Sequence, residues 1–202
     1  MNDYQFRQVD VFTDRQFGGN SLAVIPDAYG LSDSQMQSLA NEMNLSETTF
    51  VFPPTDPEDL ADVRIFTPGI ELPFAGHPTV GTAFVLASLG RVAAQHFSFQ
   101  ERIGRLPIRL EGDPRNPAVI WMTQPLPTFG PAVVDRERVA KGVGLSETDL
   151  LPQPIRSGTA GVPFLFIPLR DPETVDRART SSEGIRGLQG TEDCNGGPSL
   201  FS

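Results

Sequence analysis

The sequence predicts an α+β fold in which a largely antiparallel or mixed sheet curls around a helix. Short apolar or alternating runs with the period of a strand recur through the first half of the chain. Two stretches with helical spacing interrupt them, so strands and helices follow one another in mixed succession.

The elements follow in order. In YQFRQVDVFTDRQFGGNSLAVIPD, Tyr4, Phe6, Val9 and Val11 show period-2 spacing, Gly18-Gly19-Asn20 supplies turn residues, and Leu22 to Ile25 is a short apolar run. A hairpin is the simplest reading. In LSDSQMQSLANEMN, Ser32 and Gln35 stand in capping-box register, and Met36, Leu39, Ala40 and Met43 give a helix one apolar face. The β formers Thr48 to Phe52 then make a strand with Glu47 at its mouth, and Val63, Ile65 and Phe66 make another before Pro68-Gly69. A second helix is expected from Pro78, with Val80, Ala83, Phe84 and Ala87 on one face and Gly90 as its C-terminal cap. His96 to Gln100 and Ala118 to Met122 read as strands.

Prolines accumulate over residues 124–132 and mark a boundary, which divides the chain into residues 1–126 and 127–202. After it, DRERVAKG reads as a helix, and VPFLFIPL resembles SLAVIPD in placement, as though a second, similar half begins. From about residue 171 large apolar residues are few and neither period is visible, so loop or disorder is expected there.

Composition narrows the function. The chain has 202 residues, 39 % of them hydrophobic, and a formal net charge of -9. Its basic residues are arginines and a single Lys141, without a basic run, which argues against a nucleic-acid partner. No apolar run is long enough to span a bilayer, no leader pattern opens the chain, and Cys194 stands alone, so the expectation is a cytoplasmic protein without disulfides.

Two places could carry chemistry. In ELPFAGHPTVGTA, residues 71–83, Gly76, His77, Pro78 and Thr79 open a helix, where unpaired N–H groups and a partial positive charge can cradle a carboxylate. Glycine at 76 would let an anion approach the main chain, and His77 could add a hydrogen bond. An ordinary strand-to-helix turn fits the same residues. Glu47, at the end of an apolar strand, could be desolvated into a general base or acid for a proton on carbon. From position alone, a solvated glutamate at a turn fits more readily. His96 has no second metal ligand near it in sequence, Ser21 and Ser157 lack a nucleophile elbow, and no phosphate loop or dinucleotide fingerprint is present. The acidic clusters at 56–62 and 171–176 read as solvated loops.

Three segments together, FTDRQFGGNSLAVI, MNLSETTFVF and RIFTPGIELPFAGHPTVGTA, resemble in order the N-terminal half of the phenazine-biosynthesis PhzF-like family, which shares the fold of diaminopimelate epimerase. The resemblance implies two pseudo-symmetric halves, each a curved sheet around a central helix, with the active site in the cleft between them. It implies proton transfer on carbon of a small carboxylic or amino acid without cofactor or metal, as in isomerisation of trans-2,3-dihydro-3-hydroxyanthranilate, and a possible homodimer. Glu47 falls on the family's acid/base glutamate, Gly76 and His77 on its substrate-contacting pair, and Pro78 and Thr79 on the start of the central helix. The family's second motif, Glu-Asp-Pro-x-Thr-Gly-Ser-Ala, has only an echo here in Glu192-Asp193, so the second half is expected to be truncated and activity impaired. The competing expectations are a non-catalytic ligand-binding or dimerisation module and an inactive gene relic.

Overall fold

A computed structural model of the chain describes residues 3–181, 183–184 and 197–202. They form two compact units, Met1–Gln124 and Pro125–Ser202.

In the first unit, β1 (Arg7–Val11), β2 (Asn20–Ile25), β3 (Glu47–Phe52), β4 (Ala61–Phe66), β6 (His96–Glu101), β7 (Gly104–Asp113) and β8 (Asn116–Met122) lie side by side in that order, with the two-residue β5 (Glu71–Leu72) paired to β4. The sheet is mixed, as expected. β1 and β2 are the anticipated antiparallel hairpin, though residues 12–19 make a longer loop than the glycine pair suggested. β2 and β3 run parallel, as do β4 and β6. A parallel neighbour requires a crossover, and the two crossovers carry the two helices, α1 (Asp33–Met43) and α2 (Gly76–Ser88).

The helices take opposite faces of the sheet. α1 opens on the expected capping box, in which Gln35 N–H donates to Ser32 Oγ and Ser32 N–H to Gln35 Oε1, and closes on Asn44 in the left-handed region. Its Met36 and Ala40 pack with Ile25, Phe50 and Phe66. α2 instead packs against β1, β2, β3 and β8, strands from both ends of the sheet, so the sheet wraps around it.

Two expectations for α2 are corrected. It begins at Gly76, with Ala75 as N-cap, so Pro78 is the third helical residue. It also has no single apolar face: Gly81, Thr82, Ala83, Val85, Leu86 and Ala87 are all buried, while Phe84 is partly exposed. Surrounded by sheet, the helix needs apolar residues on most sides, and Phe84 lies where the wrap is incomplete.

The second unit has a four-stranded sheet in the order β12 (Pro198–Phe201), β11 (Phe164–Pro168), β10 (Arg156–Thr159), β9 (Thr128–Ala132), with α3 (Arg136–Gly142) and α4 (Pro172–Arg177). Its own core includes Val139, Val143, Ile155, Leu165, Ile167 and Leu169. β9 lies within the proline-rich stretch, and Pro131 is tolerated because β9 is an edge strand. The expectation of structureless chain from residue 171 is overturned at two places. Asp171 caps α4 by accepting from Thr174 N–H at 2.7 Å, with Pro172 in the first turn. β12 pairs parallel with β11, and Leu200 packs on the unit's core. Cys194 and the Glu192-Asp193 echo lie outside the described residues.

Candidate active site

The site arises at one end of the first sheet. Because β2 and β3 are parallel, their N-terminal ends lie together, with Leu22 level with Glu47. α2 is set against these strands at two points. Its Gly81 lies so close to β2 and the neighbouring β1 that a Cβ there would stand 2.6 Å from Leu22 Cδ2 and 2.7 Å from Val11 Cγ2. The buried hydroxyls of Thr82 and Thr49 are hydrogen-bonded at 2.8 Å. From that contact, five residues back along the helix and two back along the strand are nearly equal steps, ~7.5 Å and ~6.6 Å. They bring His77 level with Glu47.

His77 Nε2 lies 3.1 Å from Glu47 Oε2, with side-chain exposures of 9 % and 16 %. Both atoms are buried, and neither completes a well-aligned hydrogen bond. Desolvation raises the Glu47 pKa above the ordinary carboxylate value. Desolvation lowers that of His77, opposed by a backbone hydrogen bond with Ser21. Both shifts favour the neutral forms. The proton affinities of the carboxyl and the imidazole are thereby drawn toward each other.

The helix start contributes main-chain donors. Ala75 gives no side-chain cap, and the N–H groups of Gly76 and His77 belong to the first turn, where helical geometry offers no carbonyl partner. A Cβ added at Gly76 would meet nothing nearer than Met122 Cε at 3.9 Å. Folding does not require glycine there. Pro78 has no N–H to give, and Thr79 is fully buried with its hydroxyl 2.8 Å from the Ala75 carbonyl and 2.6 Å from Glu101 Oε1. Of the four residues expected in the cradle, Gly76 and His77 thus present donors, while Pro78 and Thr79 shape the turn that carries them.

Three residues that the sequence reading did not select also gather here. Ser46 and Asn20 form a hydrogen-bonded chain to the outer ring nitrogen of His77. Glu101, 3 % exposed, stands behind the first turn of α2 with its pKa pushed up to about 7 by burial, against the Thr79 hydrogen bond. One sequence signal could have marked it: Glu101 continues the phase of Phe97 and Phe99 on β6, which places a carboxyl among aromatic residues.

The chain matches the model of the phenazine biosynthesis-like proteins, PhzC-PhzF, over residues 9–194. It belongs to this PhzF-like family. It is 38 % identical over 179 residues to an uncharacterized isomerase of Mesorhizobium japonicum, an alignment covering 86 % of this chain and 59 % of the relative. It is 43 % identical over 141 residues to trans-2,3-dihydro-3-hydroxyanthranilate isomerase of Pseudomonas chlororaphis, covering 69 % of this chain and 49 % of that enzyme. Among solved structures, a predicted epimerase of Pseudomonas aeruginosa superposes with a TM-score of 0.82 at 30 % identity, over 99 % of this chain and 70 % of that one. The fold itself extends further. A hydroxyproline epimerase of Agrobacterium vitis, 11 % identical, covers 86 % of this chain and 53 % of that one with a TM-score of 0.59, which identifies the proline racemase and diaminopimelate epimerase-like architecture. The PhzF-like chain spans about half the length of the curated relatives it matches.

No described helix is long and apolar enough to cross a membrane. Among the described residues, no group of three or more His, Cys, Asp or Glu is arranged to hold a metal ion.

Proposed function

We propose that the protein moves a proton on carbon in a small carboxylic or amino acid, with Glu47 as acid/base and the start of α2 as the cradle for the substrate's anionic group. The observation that carries this reading is the half-buried carboxyl of Glu47 held 3.1 Å from His77 Nε2, beside the first turn of α2, whose N–H groups helical geometry leaves without a carbonyl partner. Desolvation makes Glu47 a stronger base than a solvated carboxylate, and a stronger base removes a weakly acidic C–H proton more readily. His77 and the Gly76 and His77 main-chain N–H groups are placed to meet negative charge that develops on the substrate as the C–H bond breaks. Glu47 then returns the proton to another carbon or to the opposite face, so no electron acceptor is consumed.

The isomerase relatives support this class of reaction, and trans-2,3-dihydro-3-hydroxyanthranilate is the first substrate to try. The family's second cradle motif has no match among the described residues, so the 202-residue chain is expected to turn over more slowly than relatives that carry it. Homodimerisation and a cytoplasmic setting remain part of the proposal.

The test is solvent exchange. With the protein in D2O, mass spectrometry of that compound and of a panel of small amino and hydroxy acids is expected to show one deuteron entering at carbon. Glu47→Gln should reduce the rate by about 100-fold or more, the usual scale for losing a positioned acid/base, with an unchanged circular dichroism spectrum. Exchange that is absent for every compound, or equal in the variant, removes the isomerase reading and leaves a binding module.

A further inference from the structure

We propose that Asn20 and Ser46 are positioning residues that set which ring nitrogen of His77 carries its proton. The inference deepens the proposed function, because it concerns the same Glu47–His77 pair, but its test does not require turnover.

The hydrogen-bonded chain has one direction. Ser46 Oγ donates to Asn20 Oδ1 at 2.8 Å, and Asn20 Nδ2 lies 3.1 Å from His77 Nδ1. A carboxamide has one accepting end and one donating end. With the Ser46 hydroxyl on the accepting end, the NH2 end faces the ring. An NH2 group can only donate, so Nδ1 offers it a lone pair; the Ser21 carbonyl is the competing partner, which would accept from an Nδ1–H instead. Burial favours the neutral ring, which holds a single proton. That proton is then on Nε2, the nitrogen 3.1 Å from Glu47 Oε2.

The consequence is chemical. Glu47 faces an N–H donor rather than a lone pair, so the pair can hold the carboxylate form of the base or present a hydrogen bond to a bound anion. The opposite tautomer would make His77 Nε2 compete with the substrate for the Glu47 proton. The arrangement is economical in sequence. Ser46 immediately precedes Glu47, and the parallel pairing of β2 with β3 brings Asn20 to it, so the residue next to the base in sequence holds the group that orients the imidazole.

The experiment reads the ring directly. The chain has two histidines, His77 and His96, so long-range proton–nitrogen correlation on 15N-labelled protein at pH 8 yields four ring-nitrogen signals, assigned with His96→Gln. The expected pattern for His77 is an unprotonated Nδ1 and a protonated Nε2. Asn20→Asp, nearly isosteric, replaces the donor with an acceptor and should move the ring proton to Nδ1 or add a second one there. Ser46→Ala frees the amide to rotate and should lower the ratio of Nε2–H to Nδ1–H tautomers ~2- to 10-fold, the scale of one hydrogen bond. A wild-type ring protonated at Nδ1, donating to the backbone at Ser21, overturns the proposal. So does an Asn20→Asp spectrum identical to wild type, while a ratio unchanged in Ser46→Ala removes Ser46 from it. Loss of deuterium exchange with the tautomer pattern intact would reject the isomerase reading and leave this one standing, and the reverse result would do the opposite.

Discussion

Glu101 shows how one buried carboxyl can be read from hydrogen-bond accounting. The Thr79 hydroxyl lies within hydrogen-bonding distance of both the Ala75 carbonyl and Glu101 Oε1, but it has one proton to give. If that proton goes to Ala75, Glu101 must supply the other one. Glu101 Oε2 is buried without a partner, and a charged oxygen there would be unsolvated. Both facts favour the neutral acid, in keeping with a pKa pushed up from 4.5 to about 7. The sign follows. The unfolded chain loses this proton near pH 4.5 and the folded one near 7, so the stability it provides is full below 4.5 and declines as pH rises to about 7. The loss amounts to roughly 3 kcal/mol at 1.36 kcal/mol per pKa unit. Glu101→Gln should abolish this decline and stabilise the protein at pH 8 by ~1–3 kcal/mol, measured from urea midpoints at pH 5 and 8. A decline that persists in the variant would show that Glu101 is not the group responsible.

At the scale of an element, α2 separates two glycines with different reasons to exist. At Gly81 a methyl group would press into Leu22 and Val11, both in the core, and an overpacked site typically costs ~1–3 kcal/mol. Gly81→Ala is expected to lower the melting temperature. The contact also sets the height of α2 on β2, so the same change should displace His77 relative to Glu47 and slow exchange. Gly76→Ala has room, since the nearest atom is 3.9 Å away. It should keep or slightly raise the melting temperature, because alanine is the better helix former. The methyl would stand in the path of an anion approaching the first turn, with binding expected to weaken about tenfold, ~1.4 kcal/mol. Calorimetric melting and ligand titration on the two variants separate packing from recognition. Equal melting losses in both would mean Gly76 is also a packing residue.

Over the whole molecule, stability against pH has two opposed limbs rooted in different units. Asp149, in the second unit, is held down to about 2 by backbone and side-chain hydrogen bonds with Ser146 and by Arg177. A depressed folded pKa contributes stability above the ordinary value of 3.8, and that contribution is lost as pH falls toward 2. Glu101, in the first unit, acts on the opposite side, above 4.5. Together they place the maximum of their joint contribution between pH 3.8 and 4.5, close to the isoelectric point of about 4.7. Net charge is smallest there, so solubility should be lowest where these two groups stabilise most. Thermal melts followed by circular dichroism from pH 2.5 to 8 should show Asp149→Asn flattening only the acid limb and Glu101→Gln only the neutral one. A single variant that flattens both would contradict this division.

Local chemistry made much of the fold legible in the chain. The capping box at Ser32 and Gln35, the β-branched and aromatic run after Glu47 and the glycine at 76 each act within a few residues, and so do the patterns they leave. Asp171-Pro172 was an equally local signal for α4, masked by the scarcity of apolar residues after it. β12 had no such signal, since its order comes from pairing with β11. Glu47 and His77 could be named as candidates from sequence, yet the 29 residues between them carry no information about distance. Only the parallel pairing of β2 with β3 and the close seating of Gly81 against Leu22 bring them to 3.1 Å. The same holds for Asn20, a turn residue in sequence and a ring-orienting group in space. Sequence determined which chemical groups the protein possesses and the local form of the chain that carries them. Tertiary structure alone decided which of those groups lose water together, and a shifted proton affinity depends on that shared burial.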